Sequence, residues 1–400
     1  FARQQRVYEH LGVEIMASAT GTSRSYIEPF QIAVRNKDGS VDTLLSHVYH
    51  GIDGFITGNY LSDLNDYTQL DLEADYWDQE IMEDASINGR MFLGKSKFNI
   101  LWTFVVAYNK TMMEKYGDAL GETVYDMVDG HRWTLDRMIS IANLVYVDET
   151  GDGQTIDDTF GIIGCHDIAF CGFLQSSNIN IIEPDDSGNY VLTVYNDVNK
   201  AKTTNIVEKI HNLAKSDCAW FWKWDNTRIA INFANQKALF SLSDTKGHLP
   251  SYPNYDISFG VLPYPMYDEN QKDVGYRSLQ WGGYICIPSY VTNPEMVGDT
   301  VETLSFFSED VNEAFYEKLL GKQASDSPDD RRMLEIVWDG ICTDFAQTYY
   351  STVLETQILF LVPYQSYEDV TPGVASFIAA RESTVNKKIS KFITLASKKN

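Results

Sequence analysis

Basic side chains are scarce in this sequence, in which 32 Lys and Arg residues face 56 Asp and Glu residues and give a formal net charge of −24. A protein that binds nucleic acid needs clustered Lys and Arg to neutralise phosphates. The basic pairs near the end of the chain, Lys387–Lys388 and Lys398–Lys399, are typical of a solvated final helix. We therefore expect no nucleic-acid partner.

Cysteine is also rare, and its pattern excludes a structural metal cluster. The sequence has no C-x-x-C pair and no histidine at zinc-finger spacing. An odd number of cysteines in a large chain is typical of free, mostly buried thiols. The five are Cys165, Cys171, Cys218, Cys286 and Cys342.

Long apolar runs and the common catalytic motifs are missing as well. The longest apolar stretch, 98–108, is interrupted by Asn99 and Thr103 and is far shorter than the ~20 residues that cross a bilayer. The first residues lack the order of a signal peptide, so an exported protein would have lost its signal. The sequence contains no G-x-G-x-x-G, G-x-x-x-x-G-K-[ST], H-E-x-x-H or G-x-S-x-G motif. These absences argue against the commonest enzyme classes, although a glycosidase needs only two carboxylic acid side chains.

What the sequence does contain indicates a packed α/β protein of two domains. A chain of 400 residues is too long for one ordinary core. Predicted strands at 13–17, 41–45 and 98–108 alternate with helices at 2–11, 135–145 and 329–350, and Thr134 is a good N-cap. This alternation favours a largely parallel sheet. Aromatic residues make up 13% of the chain, which suits either thick cores or a stacking site for ring-shaped ligands.

Several short motifs occur in a familiar order along nearly the whole chain. They are G-N-Y-L-S-D-L at 58–64, V-A-Y-N-K at 106–110, R-W-T-L-D at 132–136 and F-G-V-L-P-Y-P at 259–265. In sequence and spacing they resemble the extracellular solute-binding proteins of carbohydrate ABC importers, the family that includes maltose-binding protein. One departure is that the family usually begins with a strand, whereas this chain begins at the first helix.

The resemblance implies a two-lobed periplasmic-binding-protein-like fold of type II, in which hinge-linked α/β lobes close on a ligand cleft. Residues 1–108 and 281–320 would form lobe one, and residues 109–280 and 321–400 would form lobe two. The implied role is to bind a carbohydrate, with an oligosaccharide favoured, and to deliver it to the permease subunits without catalysis. The implied state is a monomer, extracellular or periplasmic, tethered as a cell-surface lipoprotein through an N-terminal lipid anchor that is absent from this sequence.

Candidate ligand-binding residues follow the ends of predicted strands, where open α/β sheets bind ligands. Ser46, His47 and Tyr49 follow the strand at 41–45, and Trp102 lies beside the lobe crossing. Trp281 with Gly282 is the strongest candidate, because glycine lets a ligand approach the backbone and the indole offers an apolar face with an N–H group. Each of these residues has a plainer alternative role in a loop, a bulge or the core.

Further candidates come from aromatic residues and strand-end polar groups. Trp222 and Trp224 belong to an alternating stripe that suits a sugar chain, and Phe170 and Phe173 match the region in which relatives carry a stacking aromatic. Tyr349 and Tyr350 resemble the aromatic that closes the family's site, and ordinary core packing is the alternative for all six. Polar partners could be Asn109 and Asp244.

The acidic loop at 148–158 has the oxygen ligands and forced glycine turns that Ca²⁺ coordination requires. The predicted ligands of a structural calcium ion are Asp148, Thr150, Asp152 and Gln154, with Asp157 or Asp158 closing the site. The loop departs from the EF-hand pattern, and a solvated turn is the alternative. No other cofactor is expected.

Two other functions stay open. The same fold could bind a peptide or another small solute, or the chain could be a glycoside hydrolase that uses two carboxylates about 5–10 Å apart. The adjacent acids, such as those at 157–158 and 329–330, look like surface residues, so the hydrolase is the weakest alternative.

Overall fold

A computed structural model describes most of the chain. It covers residues 2–18, 24–97, 102–165, 168–223, 225–247, 249–255, 257–308, 311, 314–315, 327–363 and 373–398. The described helices are α1 (Ala2–Leu11), α2 (Ile27–Asn36), α3 (Ile52–Thr57), α4 (Gln79–Asp84), α5 (Lys110–Leu120), α6 (Val124–Asp129), α7 (Leu135–Val145), α8 (Ile168–Ser176), α9 (Lys200–Ala214), α10 (Asn226–Ala234), α11 (Pro294–Phe306), α12 (Pro328–Asp339), α13 (Phe345–Thr348), α14 (Thr356–Phe360), α15 (Val374–Ala379) and α16 (Glu382–Ala396).

The strands form one five-stranded sheet and three short pairs. The described strands are β1 (Leu44–His47), β2 (Phe104–Asn109), β3 (Phe160–Cys165), β4 (Ile182–Pro184), β5 (Tyr190–Leu192), β6 (Ala219–Trp222), β7 (Ala238–Asp244), β8 (Phe259–Leu262), β9 (Ser278–Leu279), β10 (Gly283–Cys286) and β11 (Ile341–Cys342). The large sheet has the order β6-β3-β7-β2-β8, in which β3 runs parallel to β6 and β7 while β2 runs antiparallel to β7 and β8. The predicted parallel sheet is therefore mixed.

Strand β2 shows why this sheet forms where it does. Its sequence F-V-V-A-Y-N is rich in β-branched and aromatic residues, and all six side chains are buried. A strand buried on both faces is expected to be continuously apolar, as this one is. Asn109 ends the strand and caps α5, where its side chain accepts a hydrogen bond from the Met112 backbone N–H.

A smaller unit joins the early part of the chain to a much later part. Strand β1 pairs antiparallel with β10, so that His47 lies opposite Gly283, and helix α1 packs against α11. A hydrophobic cluster that includes Trp77, Ile285 and Val301 fills this unit. Strand pairing also places Phe104–Asn109 in the five-stranded sheet, so the predicted lobe boundary at 108 falls within β2. The division of the whole chain into lobes stays a prediction.

The local predictions are confirmed where capping signals are strong. The helices at 2–11 and 135–145 form at the predicted residues, and Thr134 accepts a hydrogen bond from the Arg137 backbone N–H. The strand predicted at 13–17 is absent, because those residues have no regular structure. The helix predicted over 329–350 is broken after Asp339. At Gly340, where a Cβ atom would clash with the Tyr276 carbonyl oxygen, the chain leaves the helix and enters β11.

All five cysteines are buried thiols that form no disulfide, as the sequence predicts. None of the helices in the described part of the chain combines the length and the apolar character needed to span a bilayer.

Candidate functional site

Three segments that are distant in sequence meet where the small unit joins the large sheet. Strand β1 delivers His47 opposite Gly283. The Trp281 backbone N–H donates a hydrogen bond of 2.5 Å to the carbonyl oxygen of Trp102, and Thr103 bridges to Gln280. The loop after β1, the start of β2 and the segment between β9 and β10 therefore share one location.

Aromatic rings from these segments pack around Trp281, and we call this group the aromatic cluster. Trp281 is 1% exposed and stacks on Phe360 with ring centroids 5.2 Å apart. The Tyr49 ring contacts the Trp281 ring edge-on, with ring centroids 4.7 Å apart. The same Tyr49 ring contacts the Tyr350 ring edge-on, with ring centroids 4.8 Å apart. The complete cluster is His47, Tyr49, Trp102, Phe104, Trp281, Tyr350 and Phe360.

Four buried N–H groups and one buried amide in this region have no hydrogen-bond partner among the residues that the structure describes. A buried polar group that makes no hydrogen bond costs free energy, and buried polar groups in native proteins are nearly always paired. Their concentration beside the aromatic cluster is typical of a binding site. We call them the unpaired donors: His47 Nε2, Lys95 Nζ, Trp102 Nε1, Trp281 Nε1 and the side-chain amide of Gln280.

The position of Gly282 shows that two of these donors converge. A Cβ atom at Gly282 would lie 3.0 Å from Gln280 Nε2, 3.4 Å from Lys95 Nζ and 3.7 Å from Trp102 Cβ. The glycine therefore leaves the amide and the ammonium side by side, next to the first indole of the aromatic cluster. A side chain at this position would press on both groups.

His47 is held in one orientation and one protonation state. Its Nδ1 accepts a hydrogen bond of 3.3 Å from the Tyr49 backbone N–H, so the neutral ring carries its hydrogen on Nε2. Burial lowers the pKa of His47 to about 3, and the nearby positive charges of Lys246 and Lys95 act in the same direction. His47 thus offers a neutral N–H donor throughout the physiological pH range.

The loop that carries His47 is fixed by a small hydrogen-bond network. The Tyr26 hydroxyl lies 2.6 Å from His50 Nδ1 and 3.2 Å from Ser46 Oγ. His50 Nδ1 also accepts from the His47 backbone N–H at 3.3 Å. Ser46 is fully buried, so its role is to position the loop beside the aromatic cluster.

Lys95 is the one member of the unpaired donors that carries a full charge. Its side chain is 1% exposed, and burial lowers its pKa from 10.5 to about 8. The carboxylate of Asp78 opposes this shift, and the charge of Lys246 adds to it. Lys246 itself lies with Nζ 5.0 Å from the centre of the Trp102 ring. Positive charge therefore collects at this site in a strongly acidic protein.

The arrangement suits a ligand that has apolar ring faces and many hydrogen-bond acceptors. His47, Tyr49 and Trp102 are partly exposed and offer ring surface, and the unpaired donors offer N–H groups beside it. The two nearby carboxylates are already engaged, because Asp78 accepts from the Ile81 backbone N–H and Asp244 accepts from those of Lys246 and Gly247. The chemistry is that of recognition by donors.

The structure brings eight of the fourteen predicted binding residues to this site. Of the predicted set, those in or beside the aromatic cluster are Ser46, His47, Tyr49, Trp102, Asp244, Trp281, Gly282 and Tyr350. Asp244 lies opposite Phe104 in the β2–β7 register, at the end of its strand.

Other predicted residues make contacts elsewhere in the fold, and a role for them in ligand binding stays a prediction. Asn109 caps α5 and donates to the Phe233 carbonyl oxygen at 3.3 Å, and Trp222 belongs to the core on the other side of the large sheet. The Tyr349 hydroxyl donates to the carbonyl oxygen of Ala85 within the core. Trp224 lies outside the described residues.

The two predicted phenylalanines pack behind the site. Phe173 contacts Tyr264 with ring centroids 5.1 Å apart, Tyr264 contacts Phe104 at 6.0 Å, and Phe104 stacks on Trp281. Phe170 packs on Phe221 at 4.8 Å. Both are fully buried in the core, and Phe173 supports the aromatic cluster from behind through Tyr264 and Phe104.

The acidic loop is organised by its own backbone. The Asp148 carboxylate accepts hydrogen bonds from the backbone N–H groups of Thr150, Gly151 and Gly153, and these bonds lower its pKa. The buried Asp158 accepts from Thr155 and Glu149. The Gln154 amide donates to three carbonyl oxygens around residues 216–219, the Thr150 hydroxyl donates to Asp152, and the Asp157 carbonyl accepts from Lys237.

This bonding matches the alternative of a solvated turn. In the part of the chain that the structure describes, no group of three or more His, Cys, Asp or Glu side chains is arranged to hold a metal ion. Calcium at this loop stays a prediction.

Sequence reasoning missed Lys95, Gln280 and Lys246. Gln280 directly precedes Trp281, and Lys246 follows Asp244 by two residues, so strand-end reasoning could have included both. Lys95 follows the apolar triplet Phe92-Leu93-Gly94, and a lysine in such surroundings is a signal of unusual burial.

Comparison with solved structures identifies the fold. The chain is similar to the GacH receptor of Streptomyces glaucescens, crystallised unliganded and with acarbose, at a TM-score of 0.62 and 15% identity over 100% of this chain and 95% of the receptor. It is also similar to UgpB of Mycobacterium tuberculosis in complex with glycerophosphocholine, at 0.58 and 14% identity over 99% and 93%. No family model and no curated protein matches the sequence. The chain has the two-lobed α/β fold of periplasmic-binding-type proteins.

Proposed function

We propose that the chain is the extracellular solute-binding component of an ABC importer and that it binds a carbohydrate at the aromatic cluster. The observation that carries the proposal is the meeting of stacked rings with the unpaired donors at one place in the fold. Sugars present apolar ring faces on one side and acceptor oxygens at their edges, which is the complement of this surface. The fold of GacH and UgpB supports the same role.

The mechanism follows from where the cluster lies. Its residues come from β1, from the start of β2, from the β9–β10 segment and from the region before α14, so the parts of the chain meet at the ligand. A ligand that contacts all of them binds an arrangement with the parts together more tightly than one with the parts separated. The permease subunits would then distinguish the loaded protein by its shape.

The arrangement favours binding over hydrolysis. A retaining or inverting glycosidase needs two carboxyl groups that face the scissile bond. Asp78 and Asp244 instead accept hydrogen bonds from backbone N–H groups, and the unpaired groups at the site are N–H donors and the Gln280 amide. A peptide, a glycerophosphodiester or another small solute is the alternative ligand for the same fold.

Location and assembly belong to this proposal as well. We infer that the protein acts outside the cytoplasmic membrane, as a periplasmic protein or as a cell-surface lipoprotein tethered by an N-terminal anchor. We also infer that it acts as a monomer. Neither the monomer nor the anchor is needed for the chemistry of the site.

Titration calorimetry against a panel of mono- and oligosaccharides tests the proposal. Trp281→Phe keeps a ring in the cluster but removes the Nε1 donor, and Trp222→Phe is the matched control because Trp222 lies in the other core. We expect wild type and the control to bind the same glycan and Trp281→Phe to bind it more weakly. Binding of a charged peptide with no response to any glycan would contradict the proposal, and so would turnover of a labelled oligosaccharide.

A further inference from the structure

We propose that the ligand carries an anionic oxygen group, a carboxylate or a phosphate, that pairs with the Lys95 ammonium. This inference rests on the proposed function and specifies the class of carbohydrate, namely a sugar acid or a sugar phosphate. Its basis is an unpaired cationic side chain, 1% exposed, at the edge of the aromatic cluster.

Burying an ammonium group without a partner is among the least favourable arrangements in a protein. Charged groups in interiors are almost always paired or hydrogen-bonded, because desolvation penalises them strongly. Lys95 Nζ has no hydrogen-bond acceptor among the described residues. A structural lysine would be expected to have one, so an acceptor from outside the chain accounts for the arrangement.

The direction of the ammonium is fixed by its neighbours. It lies 3.4 Å from the Cβ position of Gly282, which is also 3.0 Å from Gln280 Nε2. The ammonium therefore belongs to the same surface as the Gln280 amide and the Trp102 ring. An anionic oxygen placed near both nitrogen atoms could accept hydrogen bonds from the amide and the ammonium together.

The charged groups around Lys95 favour an anion over a neutral hydroxyl. Lys246 is a second positive charge, close enough to lower the pKa of Lys95, whereas His47 is neutral and adds no charge. Asp78 is the carboxylate that opposes them, and its Oδ1 accepts from the Ile81 backbone N–H at 3.1 Å. Asp244 is held by the turn at residues 246–247.

Calorimetry with matched neutral and acidic ligands tests the inference. The probes are trigalacturonic acid against galactotriose, and glucose 6-phosphate against glucose, each with wild type, Lys95→Met and the exposed control Lys115→Met. We expect wild type and the control to prefer one acidic member, and Lys95→Met to bind it about 30-fold or more weakly, as loss of one partner of a buried charge pair should produce. The two pairs distinguish a carboxylate from a phosphate.

The outcomes separate this inference from the proposed function. Equal affinity for neutral and acidic members, or an equal loss for both in Lys95→Met, would overturn the anionic group and leave the carbohydrate receptor standing. No binding of any glycan would overturn the proposed function itself. If Lys95→Met fails to fold, the pH dependence of binding to wild type tests the inference instead. Its affinity for the acidic ligand, but not for the neutral one, should fall between pH 7 and about 9.5 as Lys95 loses its proton.

Discussion

Replacing Lys95 by methionine should make the unliganded protein more stable, although a charged residue is lost. Burial lowers the pKa of Lys95 from 10.5 to about 8. At neutral pH the side chain is still protonated, so the folded protein holds a charge that its surroundings disfavour. Methionine has a similar length and no charge, and it would occupy the same space without that penalty.

The size of the gain follows from the pKa difference. A pKa lowered from 10.5 to about 8 corresponds to a destabilisation of roughly 3 kcal/mol at pH 7. Part of this gain is offset, because Asp78 is itself mostly buried and loses a favourable charge nearby. We expect Lys95→Met to raise the free energy of unfolding by about 1–3 kcal/mol.

Urea denaturation at pH 7, without ligand, measures this effect, with Lys115→Met as the exposed control. The pH dependence gives a second test. Because the pKa of Lys95 is lower in the folded protein than in the unfolded chain, unfolding takes up a proton between about pH 8 and 10.5, and wild-type stability should rise relative to Lys95→Met across that window. A variant less stable than wild type by more than about 1 kcal/mol would show that the ammonium is satisfied in the native protein, and the reasoning would be wrong.

Four further outcomes follow from the structure. Trp281→Phe should weaken glycan binding by about 1–3 kcal/mol in calorimetry through loss of the indole N–H, whereas Trp281→Ala would also remove buried rings and is expected to unfold the protein partly. At pH 5, the free energy of unfolding of His47→Gln should improve by roughly 2 kcal/mol relative to that of wild type. The reason is that the pKa of His47 is lowered to about 3, so at pH 5 the unfolded chain takes up a proton that the folded protein does not. Equal dependence of stability on pH in the two proteins would contradict this. Asp330→Ala should cost about 3–5 kcal/mol, since it removes the partner of Lys110 Nζ at 2.6 Å and of the Tyr125 hydroxyl at 2.7 Å, and an unchanged urea midpoint would argue against that role. Chelation with EDTA should leave glycan affinity unchanged, because the Asp148 and Asp158 carboxylates are already bonded to the backbone of their own loop; a loss of affinity would contradict this.

The fold could be predicted best where residues close together in sequence determine the local structure. Thr134 and the apolar spacing after it specify α7 without help from distant residues, and the structure has that helix at the predicted bounds. The break after Asp339 could not be predicted in the same way. It depends on Gly340 approaching the Tyr276 carbonyl and on β11 pairing with β9, and both contacts join residues far apart in sequence.

The candidate site shows the same division. Aromatic residues at strand ends are visible in the sequence, so it predicts His47, Tyr49 and Trp281 as neighbours in one site, and the structure places them in contact. Burial of a lysine is decided by what packs over it, and nothing local to Lys95 states that Gly282 and Gln280 lie beside it. Tyr349 and Tyr350 are adjacent and equivalent in the sequence. Only the packing shows that Tyr350 faces the cluster while Tyr349 bonds to Ala85.

The same groups that suggest a ligand also explain why the protein would need one to hold its parts together. Each unpaired donor is a cost to the arrangement in which it is buried, of about 1–3 kcal/mol for a neutral group and more for an ammonium. A ligand that supplies acceptors removes those costs only when the donors are buried together. Its binding therefore stabilises that arrangement relative to more open arrangements of the protein. An anion at Lys95 removes the largest single cost. Lys95→Met would then raise the free energy of unfolding without ligand and lower the affinity for the ligand, and both effects would report on the same buried charge. The two quantities should change together in any substitution that alters the charge at this position.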